Sequence, residues 1–466
     1  MAFSYISTRG GGGKKSFRET VLGGLAEDGG LYVPLEYPQF STEELQALRG
    51  RSYVDVAYAV LLKCIDDIPA DDLRDIIRRT YTSDVFGTSD ITPFIWLEKD
   101  LGLLKLSEGP TLAFKDIALQ FLGTLMEYVL GKERRLTILG ATSGDTGSAA
   151  ECALRGRKNI RVFMLSPKGR MSPFQQAQMY TIDDPNIFNL VVRGTFDDCQ
   201  RVVKEVNADA VFKKVFDIGA VNSINWARIV AQTVYYVYGY LAATKRNDEE
   251  ISFVVPSGNF GNALAAYVAK RIGVPIREII IATNENDVLD VFFRTGIYRE
   301  RKSEEVRATH SPSMDIAAAS NFERLVFDLV GRDPTSLRGL ISELKEKGSF
   351  SLAKGEWRGL PGFSSESLSD GETIETIRAV YEKYGRIIDP HTAVGVGVGL
   401  LHRDKTPLIV VETAQPAKFD AAIREALGKA APRPRGLETL EGLPQRTYEI
   451  EPDADSVKRF IREHVA

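Results

Sequence analysis

Cysteine and histidine are scarce in this sequence, and their scarcity excludes two classes of protein. Three cysteines occur among 466 residues, far apart and odd in number, which argues for free thiols in a reducing compartment and against a disulfide framework. The four histidines form no close pair with each other or with a cysteine. No zinc site is therefore predicted, and no other metal is expected.

Large net charge and long apolar runs are missing as well. A net charge of -4 creates no field that would attract nucleic acid or an acidic membrane. No segment approaches the roughly 18 apolar residues of a membrane span, and the first residues lack the basic stretch and apolar run of a leader. With 44% hydrophobic and 26% charged residues, the sequence predicts a soluble, cytoplasmic protein of two or three domains, without nucleic-acid or membrane partners.

A Walker-type phosphate loop is also absent. Glycines 10–13 precede Lys14, but a second lysine, Lys15, stands where that motif requires a hydroxyl residue. This run is interpreted as a flexible turn.

The first 95 residues predict a mostly helical N-terminal region. Ser41 and Glu44 form a capping-box pattern that indicates the start of a helix, and Gly50 indicates its end. Further helical periods fill residues 53–80.

Beyond residue 95, short apolar runs alternate with helical patterns. This alternation is typical of an α/β fold, with one or two parallel sheets covered on both faces. We expect a smaller α/β domain over residues 96–215 and a larger one over 216–466. The runs predicted as strands are 136–140, 161–165, 251–255, 278–282 and 407–412.

A single lysine, Lys115, stands at the start of a predicted apolar helix. Residues 109–110 are a turn signal, and Thr111 is a capping residue. Burial and the positive end of the helix dipole would hold this amine less protonated, as a nucleophile that attacks an aldehyde requires. The alternative is a surface lysine that extends past the helix start. The predicted buried face consists of Ala118, Leu122, Leu125 and Val129.

Two predicted strands end in glycine-rich turns that lead into helices, at residues 142–148 and 257–262. Free backbone N–H groups and the helix dipole favour an anion at such a turn, although either turn alone is also explained without a ligand. Neither has the spacing of a dinucleotide fold, and the run at 395–399 is interpreted as close helix packing. Two such turns together with Lys115 favour a phosphorylated cofactor or substrate.

Five motifs, which follow one another along the chain in a family's order, carry a resemblance to that family. They are residues 108–116, 141–147, 257–262, 389–392 and 412–419. Together they resemble the threonine synthase family, pyridoxal-phosphate enzymes of fold type II with the tryptophan-synthase-β fold. The similarity extends from residues 5–9 into the C-terminal third. It implies an α/β fold with two parallel-sheet domains and pyridoxal 5'-phosphate as cofactor.

The resemblance also assigns cofactor-binding residues. Lys115 is similar to the family's Schiff-base lysine, and Thr413 to the hydroxyl residue that faces the pyridine nitrogen. Asp145 stands near the expected position of the cofactor's 3' oxygen. The cradle for the cofactor phosphate is implied to be Gly258, Asn259, Phe260, Gly261 and Asn262.

Six further residues are candidates for binding the substrate. The resemblance suggests Thr111, Ser143 and Thr146 for a carboxylate or phosphate. Lys168 and Arg170 are a candidate anion contact, for which a solvated turn is the alternative. Asn222 is the sixth candidate, although core packing accounts for most of its segment. Gln415 departs from the family pattern, in which many relatives carry histidine, and so weakens any role for a histidine near the pyridine ring.

The implied activity is the last step of threonine biosynthesis, the conversion of O-phospho-L-homoserine and water to L-threonine and phosphate. Lys115 would release the cofactor to the substrate amine and then move protons at Cα, Cβ and Cγ. The alternatives are a threonine-synthase-like phospho-lyase or a serine/threonine dehydratase, which would share Lys115 and both turns. A non-catalytic binding protein is a third reading, against which the intact lysine weighs. The oligomeric state is left open.

Overall fold

Parallel β-structure organises the chain, as the alternating pattern predicts. The computed structural model describes residues 3–219, 221–352 and 362–465. The strands are β1 (Tyr5–Ser7), β2 (Tyr32–Pro34), β3 (Phe94–Glu98), β4 (Leu101–Lys105), β5 (Leu136–Ala141), β6 (Ile160–Pro167), β7 (Ile187–Val192), β8 (Ile218–Gly219), β9 (Ile251–Pro256), β10 (Ile276–Thr283), β11 (Ile297–Arg299), β12 (Ser349–Ser351), β13 (Phe363–Ser367), β14 (Leu408–Glu412) and β15 (Tyr448–Ile450).

Helices connect and cover these strands. The α-helices are α1 (Phe17–Gly23), α2 (Thr42–Ala47), α3 (Tyr53–Cys64), α4 (Ala70–Thr80), α5 (Ser83–Phe86), α6 (Lys115–Leu130), α7 (Asp145–Leu154), α8 (Pro173–Tyr180), α9 (Phe196–Ala208), α10 (Ala210–Val215), α11 (Trp226–Ala243), α12 (Gly261–Arg271), α13 (Val288–Thr295), α14 (Phe322–Leu329), α15 (Pro334–Lys347), α16 (Asp370–Tyr384), α17 (Pro390–Leu401), α18 (Asp420–Leu427) and α19 (Ala454–Val465). Short 3-10 helices lie at Ser303–Glu305, Pro312–Met314, Pro416–Phe419 and Leu440–Gly442.

Two larger sheets carry the fold. One has six strands in the order β13-β10-β9-β14-β4-β3 and is parallel except for β3, which runs antiparallel to β4. The other has five parallel strands in the order β15-β7-β6-β5-β8. All five apolar runs predicted as strands are strands, and the predicted fold class is confirmed.

The sheets do not follow the predicted domain boundaries along the chain. Strand β3 spans residue 95 and β4 follows it. Both belong to the six-stranded sheet, whose other strands all lie beyond residue 250. β15, near the C-terminus, closes an edge of the five-stranded sheet by pairing with β7. The divisions at residues 95 and 215 stay a prediction, and the chain crosses between the two sheets more often than they imply.

The N-terminal region is mostly helical, with one small antiparallel pair formed by β1 and β2. Ser41 caps α2 in the predicted capping box with Glu44. The helix ends at Ala47, before the predicted Gly50, because the Leu48 N–H bonds to the Leu45 carbonyl in a tighter turn.

Helix α6 forms much of the core between the N-terminal region and the sheets. Its predicted apolar face is buried, as is nearly every other residue along it. Helix α11 packs against α3, α6 and α12 and is buried over most of its length. Within the described ranges, no helix is long and apolar enough to cross a membrane.

The carboxyl ends of β4, β9, β10 and β14 meet at one edge of the six-stranded sheet, because these strands are parallel. Lys115 lies ten residues beyond β4, the 257–262 turn follows β9, and Thr413 follows β14 directly. This arrangement brings distant motifs to one place.

Candidate functional site

A cavity lies at this shared edge of the six-stranded sheet. Eight of the residues predicted from sequence line it: Lys115, Thr146, Gly258, Asn259, Phe260, Gly261, Asn262 and Thr413. The cavity is therefore lined by residues of both glycine-rich turns and by Lys115.

Lys115 is the first residue of α6, and its side chain is buried. The preceding turn is held by the segment after β14: the Phe114 N–H donates to the Thr413 carbonyl at 2.9 Å, and the Gln415 N–H donates to the Leu112 carbonyl at 3.1 Å. These bonds fix the helix start beside Thr413, although the two segments lie about 300 residues apart in the chain.

Thr111 does not cap α6, contrary to the prediction. Phe114 is the N-cap residue and makes no side-chain cap bond. The Thr111 hydroxyl instead donates to the buried Asp116 carboxyl at 2.6 Å, and the Thr111 N–H donates to the same group at 2.9 Å. Burial raises the pKa of Asp116 to about 6. Thr111 thus supports the helix start and does not line the cavity.

Asp145, the first residue of α7, faces Lys115 with an Oδ2 to Nζ distance of 3.1 Å. Burial alone would raise the pKa of Asp145, but the Lys115 and Lys418 ammonium groups outweigh it and hold that pKa well below its usual range. Burial lowers the pKa of Lys115, and Lys418 and Arg228 add to this lowering while Asp145 opposes it. The pKa of Lys115 is thus lowered overall, as a nucleophilic amine requires.

The turn between β9 and α12 has a backbone shaped for close approach. Phe260 adopts the left-handed region with φ of 60° and forms the N-cap of α12 without a side-chain cap bond. A Cβ on Gly258 would lie 2.8 Å from the Ser313 carbonyl oxygen, so only glycine fits there. The turn is held from outside by Asn321, whose backbone and side-chain N–H groups both donate to the Asn259 carbonyl at 3.1 Å.

Six buried polar atoms of the cavity lining have no hydrogen-bond partner among the described residues: Ser257 Oγ, Asn262 Nδ2, Thr413 Oγ1, Gln232 Oε1 and, on Arg228, Nε and Nη1. Asn262 uses its Oδ1 to accept from the Tyr235 and Tyr236 hydroxyls, which leaves its amide N–H groups free for a ligand. Unsatisfied buried polar groups are costly, so these atoms indicate a polar ligand. Donors at the start of α12 suit a phosphate, and the Thr413 hydroxyl suits a ring nitrogen, so the residues present fit pyridoxal phosphate.

Arg228 lies on the cavity wall and was not predicted. It sits on α11 and is buried, and its Nε and Nη1 have no partner in the described part of the chain. Burial lowers the pKa of Arg228 to about 10, which still leaves it charged at neutral pH. A buried guanidinium without a carboxylate partner indicates an anion supplied by a ligand. The sequence pattern that could have identified Arg228 is a single arginine within the apolar helix α11.

His391 and Ser313 also line the cavity and were not assigned from sequence. The Ser313 N–H donates to His391 Nε2 at 3.1 Å, so the proton of the neutral ring is on Nδ1, which donates to Asp389 at 2.8 Å. The Ser313 hydroxyl donates to Asp145 at 3.0 Å. A histidine therefore does reach the cavity, from position 391. Gln415, the departure from the family pattern, binds the Ser107 carbonyl instead.

The four other predicted substrate residues do not line the cavity. Ser143 is exposed at the turn before α7, and the turn at Lys168 and Arg170 is exposed at the end of β6, where Lys168 pairs with Glu449 at 2.5 Å. Asn222 is half-buried next to Ser223, which does reach the cavity. The exposed positions of Lys168 and Arg170 agree with the alternative interpretation, a solvated turn.

Three family models match the chain. The model described as threonine synthase N terminus matches residues 4–81, and the one described as threonine synthase, C-terminal, matches residues 392–461. Between them, the model described as pyridoxal-phosphate dependent enzyme matches residues 91–411. These matches agree with the order of motifs in the sequence.

Individual proteins match over the same length. A threonine synthase from Methylobacillus glycogenes is 55% identical, covering 99% of this chain and 100% of that protein. The crystal structure of a PLP-bound threonine synthase from Brucella melitensis aligns with a TM-score of 0.95 at 43% identity, covering 99% of both chains. The structure of threonine synthase from yeast aligns with a TM-score of 0.93 at 41% identity, covering 100% of this chain and 99% of that one.

Proposed function

This chain belongs to the threonine synthase family, and from that premise we propose that it converts O-phospho-L-homoserine and water to L-threonine and phosphate. One observation carries the proposal: a buried Lys115 lines the same cavity as a glycine-rich turn with unpaired donors and an Arg228 guanidinium without a partner among the described residues. A cofactor phosphate and a substrate phosphate need two separate anion sites, and this cavity offers both.

Three groups of this chain would hold pyridoxal phosphate. Lys115 would bind its aldehyde carbon, the 257–262 turn its phosphate, and Thr413 its pyridine nitrogen. When bound, the cofactor supplies an electron sink for charge that develops on the substrate carbons. A neutral hydroxyl at Thr413 does not hold the ring nitrogen protonated as a carboxylate would, so we infer a weaker sink than in enzymes with an acid there.

Lys115 is the proposed base of the reaction. Its Nζ lies 3.1 Å from Asp145, inside the cavity and shielded from bulk water. Because it sits on the rigid start of α6, we propose that the amine moves protons at Cα, Cβ and Cγ from one side of the substrate. The Asp145 carboxylate would steady the ammonium form between these transfers.

Arg228 is the proposed partner of the substrate's phosphate. Its fork of N–H donors matches a phosphate, and its buried position strengthens the attraction. Thr146, which lines the cavity from the 142–148 turn, is the proposed contact for the substrate carboxylate. Ser143, at the exposed end of the same turn and outside the cavity lining, stays a sequence-based candidate. The leaving phosphate would thus be stabilised by donors already in place.

Product analysis tests the proposal. Purified protein is supplied with O-phospho-L-homoserine or with L-homoserine, and phosphate, threonine and 2-oxobutanoate are measured. We expect phosphate and threonine in equal amounts, and turnover of homoserine slower by several orders of magnitude because its hydroxyl fills no anion site. Phosphate with 2-oxobutanoate would favour a phospho-lyase, and equal rates on both substrates would refute the assignment.

The cellular setting is part of the same proposal. The three cysteines are free, and two of them, Cys64 and Cys199, are buried. Free thiols suit a reducing compartment, so we propose a cytoplasmic enzyme whose partner is a small-molecule substrate.

A further inference from the structure

A second buried lysine stands behind the catalytic pair. Lys418 lies in the 3-10 helix Pro416–Phe419, which follows β14 and Thr413. It is 0% exposed, and its ammonium group cannot reach water. Burying an ammonium group destabilises the fold unless partners compensate the lost hydration, so a lysine here calls for a physical reason.

Its partners lead directly to the reactive site. Lys418 Nζ lies 2.9 Å from Asp145 Oδ1 and donates to the Thr111 carbonyl at 2.7 Å. Lys115 contacts the other oxygen of the same carboxylate, Oδ2, at 3.1 Å. One buried aspartate is therefore shared by two buried lysines, one on each oxygen.

Two neutral donors complete the set around Asp145. Gln175 donates to Oδ1 at 3.0 Å, and Ser313 donates to Oδ2 at 3.0 Å. The four donors come from four separate parts of the chain, so the carboxylate has a single orientation. Lys418 and Gln175 contact Oδ1, and Lys115 contacts Asp145 through Oδ2 alone.

Charge adds to this geometric effect. Three other charged or titratable groups lie near this cluster. Asp116 from α6 is near Lys418, Arg228 from α11 is near Lys115, and His391 from α17 is near Asp145. Two lysines and Arg228 thus outnumber the carboxylates of Asp145 and Asp116. A cation beside a second cation is held less firmly in its protonated form, which favours the reactive amine.

We propose that Lys418 is a positioning residue, which holds Asp145 from the side opposite Lys115 and prevents that aspartate from locking the Lys115 amine into a stable ion pair. The inference rests on the proposed role of Lys115, and it extends that role to a residue outside the cavity lining. It predicts that neutralising Lys418 makes Lys115 react more slowly and only at higher pH.

The test follows the reaction of Lys115 with pyridoxal phosphate. Lys418→Met and Lys418→Gln remove the charge at similar side-chain length. The full-length proteins are freed of cofactor, pyridoxal phosphate is added at a series of pH values, and covalent attachment is followed by visible absorbance and by mass after borohydride reduction. We expect attachment at neutral pH to slow about tenfold, and the pH of half-maximal rate to rise by about one unit.

A matched control is available at Lys63, whose Nζ also contacts a carboxylate oxygen, of Glu44 at 2.8 Å, and a carbonyl, of Gln39 at 2.9 Å. Lys63→Met should leave the pH of half-maximal attachment unchanged. Lys418→Arg keeps the charge and should restore a pH profile close to that of the original protein.

Several outcomes overturn the proposal. A lowered melting temperature with an unshifted pH profile in Lys418→Met would make Lys418 purely structural. Failure of both neutral variants to fold would likewise assign the ammonium to folding and not to reactivity. Since attachment is measured without substrate, none of these results depends on whether O-phospho-L-homoserine is turned over, and a failed product assay would leave this test intact.

Discussion

The two glycine-rich turns differ in what occupies the start of the helix that follows. Both connect a parallel strand to a helix, and in both helices the N-cap residue makes no side-chain cap bond. Helix α7 begins with Asp145, so an anion from the chain itself lies at its positive end. Helix α12 has no acidic residue in its first turn, and its end faces the cavity.

The difference shows how one backbone motif supports two roles. At α7 the internal carboxylate lies at the helix start and organises Lys115 and Lys418. At α12 the absence of an acid leaves the dipole and the donors available for an external phosphate. The residue at the helix start, and not the glycine spacing, decides which role a turn has.

The largest expected effect comes from removing the Lys115 amine, which shares the cavity with both turns. Lys115→Ala should abolish borohydride-stable attachment of pyridoxal phosphate and reduce turnover by at least about 10³-fold, since both base and attachment point are lost. Peptide mass analysis after borohydride reduction identifies the modified lysine. Lys63→Ala is the control, and modification of any other lysine in the original protein would contradict the assignment.

Removing the acid at the start of α7, so that this helix start resembles that of α12, should be the next most damaging change. Asp145→Asn leaves Lys115 and Lys418 without their shared carboxylate and should cost about 3–5 kcal/mol of folding free energy, with a large loss of turnover. Because the pKa of Asp145 is depressed in the folded protein, its stabilisation is present above the usual aspartate range and lost as pH falls.

Denaturant unfolding at several pH values measures this effect. The stability difference between the original protein and Asp145→Asn should shrink as the medium becomes acidic. Glu44→Gln, in the more exposed pair with Lys63, should cost about 0–1 kcal/mol. Equal stability of Asp145→Asn and the original protein at neutral pH would refute the role given to this carboxylate.

Filling the space in the second turn should weaken cofactor binding more moderately. Gly258→Ala places a Cβ against the Ser313 carbonyl at 2.8 Å, whereas the nearest neighbour of a Cβ on Gly261 is Asn321 Nδ2 at 3.3 Å. Overpacking of this kind costs about 1–3 kcal/mol, so the dissociation constant of pyridoxal phosphate should rise about ten- to hundredfold in Gly258→Ala.

Gly261→Ala serves as the comparison variant for that measurement, with a smaller expected rise. The dissociation constant is obtained by titrating cofactor-free protein, and circular dichroism verifies the fold. Wild-type affinity in a well-folded Gly258→Ala would show that the turn does not form the phosphate cradle.

The smallest expected effect concerns the second buried acid on α7. Both oxygens of Glu151 are buried and make no hydrogen bond with the described residues. Burial raises the pKa of this carboxyl well above its usual range and outweighs the opposing effects of Asn189 and Arg446. Since the unfolded chain loses this proton at lower pH than the folded chain, the contribution of Glu151 to stability falls as pH rises. Glu151→Gln should therefore stabilise the protein by about 1–3 kcal/mol at pH 8 and little at pH 4.

Thermal unfolding at the two pH values checks this expectation. Asp145→Asn provides the opposite sign on the same helix, which sharpens the contrast between a paired and an unpaired buried acid. A Glu151→Gln variant less stable than the original protein at pH 8 would show that Glu151 has a partner in solution.

Local sequence patterns determined the elements and the chemistry they carry. Apolar runs predicted five of the described strands, β5, β6, β9, β10 and β14. Apolar spacing predicted α6, and both glycine-rich turns lie where a strand leads into a helix, as predicted. These features depend on neighbours a few residues apart, where backbone propensity and hydrophobic periodicity act. For the same reason Lys115 was identified from its place at a helix start.

Tertiary structure alone decided which side chains meet at the cavity. Thr111 was predicted as a cap but binds Asp116, and Arg228, Ser313 and His391 reach the cavity from segments that local patterns describe as core or loop. Lys418 meets Asp145 although about 270 residues separate them in the chain. The physical reason is strand order: the parallel strands β4, β9 and β14 bring their carboxyl ends to one edge, and hydrophobic periodicity within a strand does not specify which strand lies beside it.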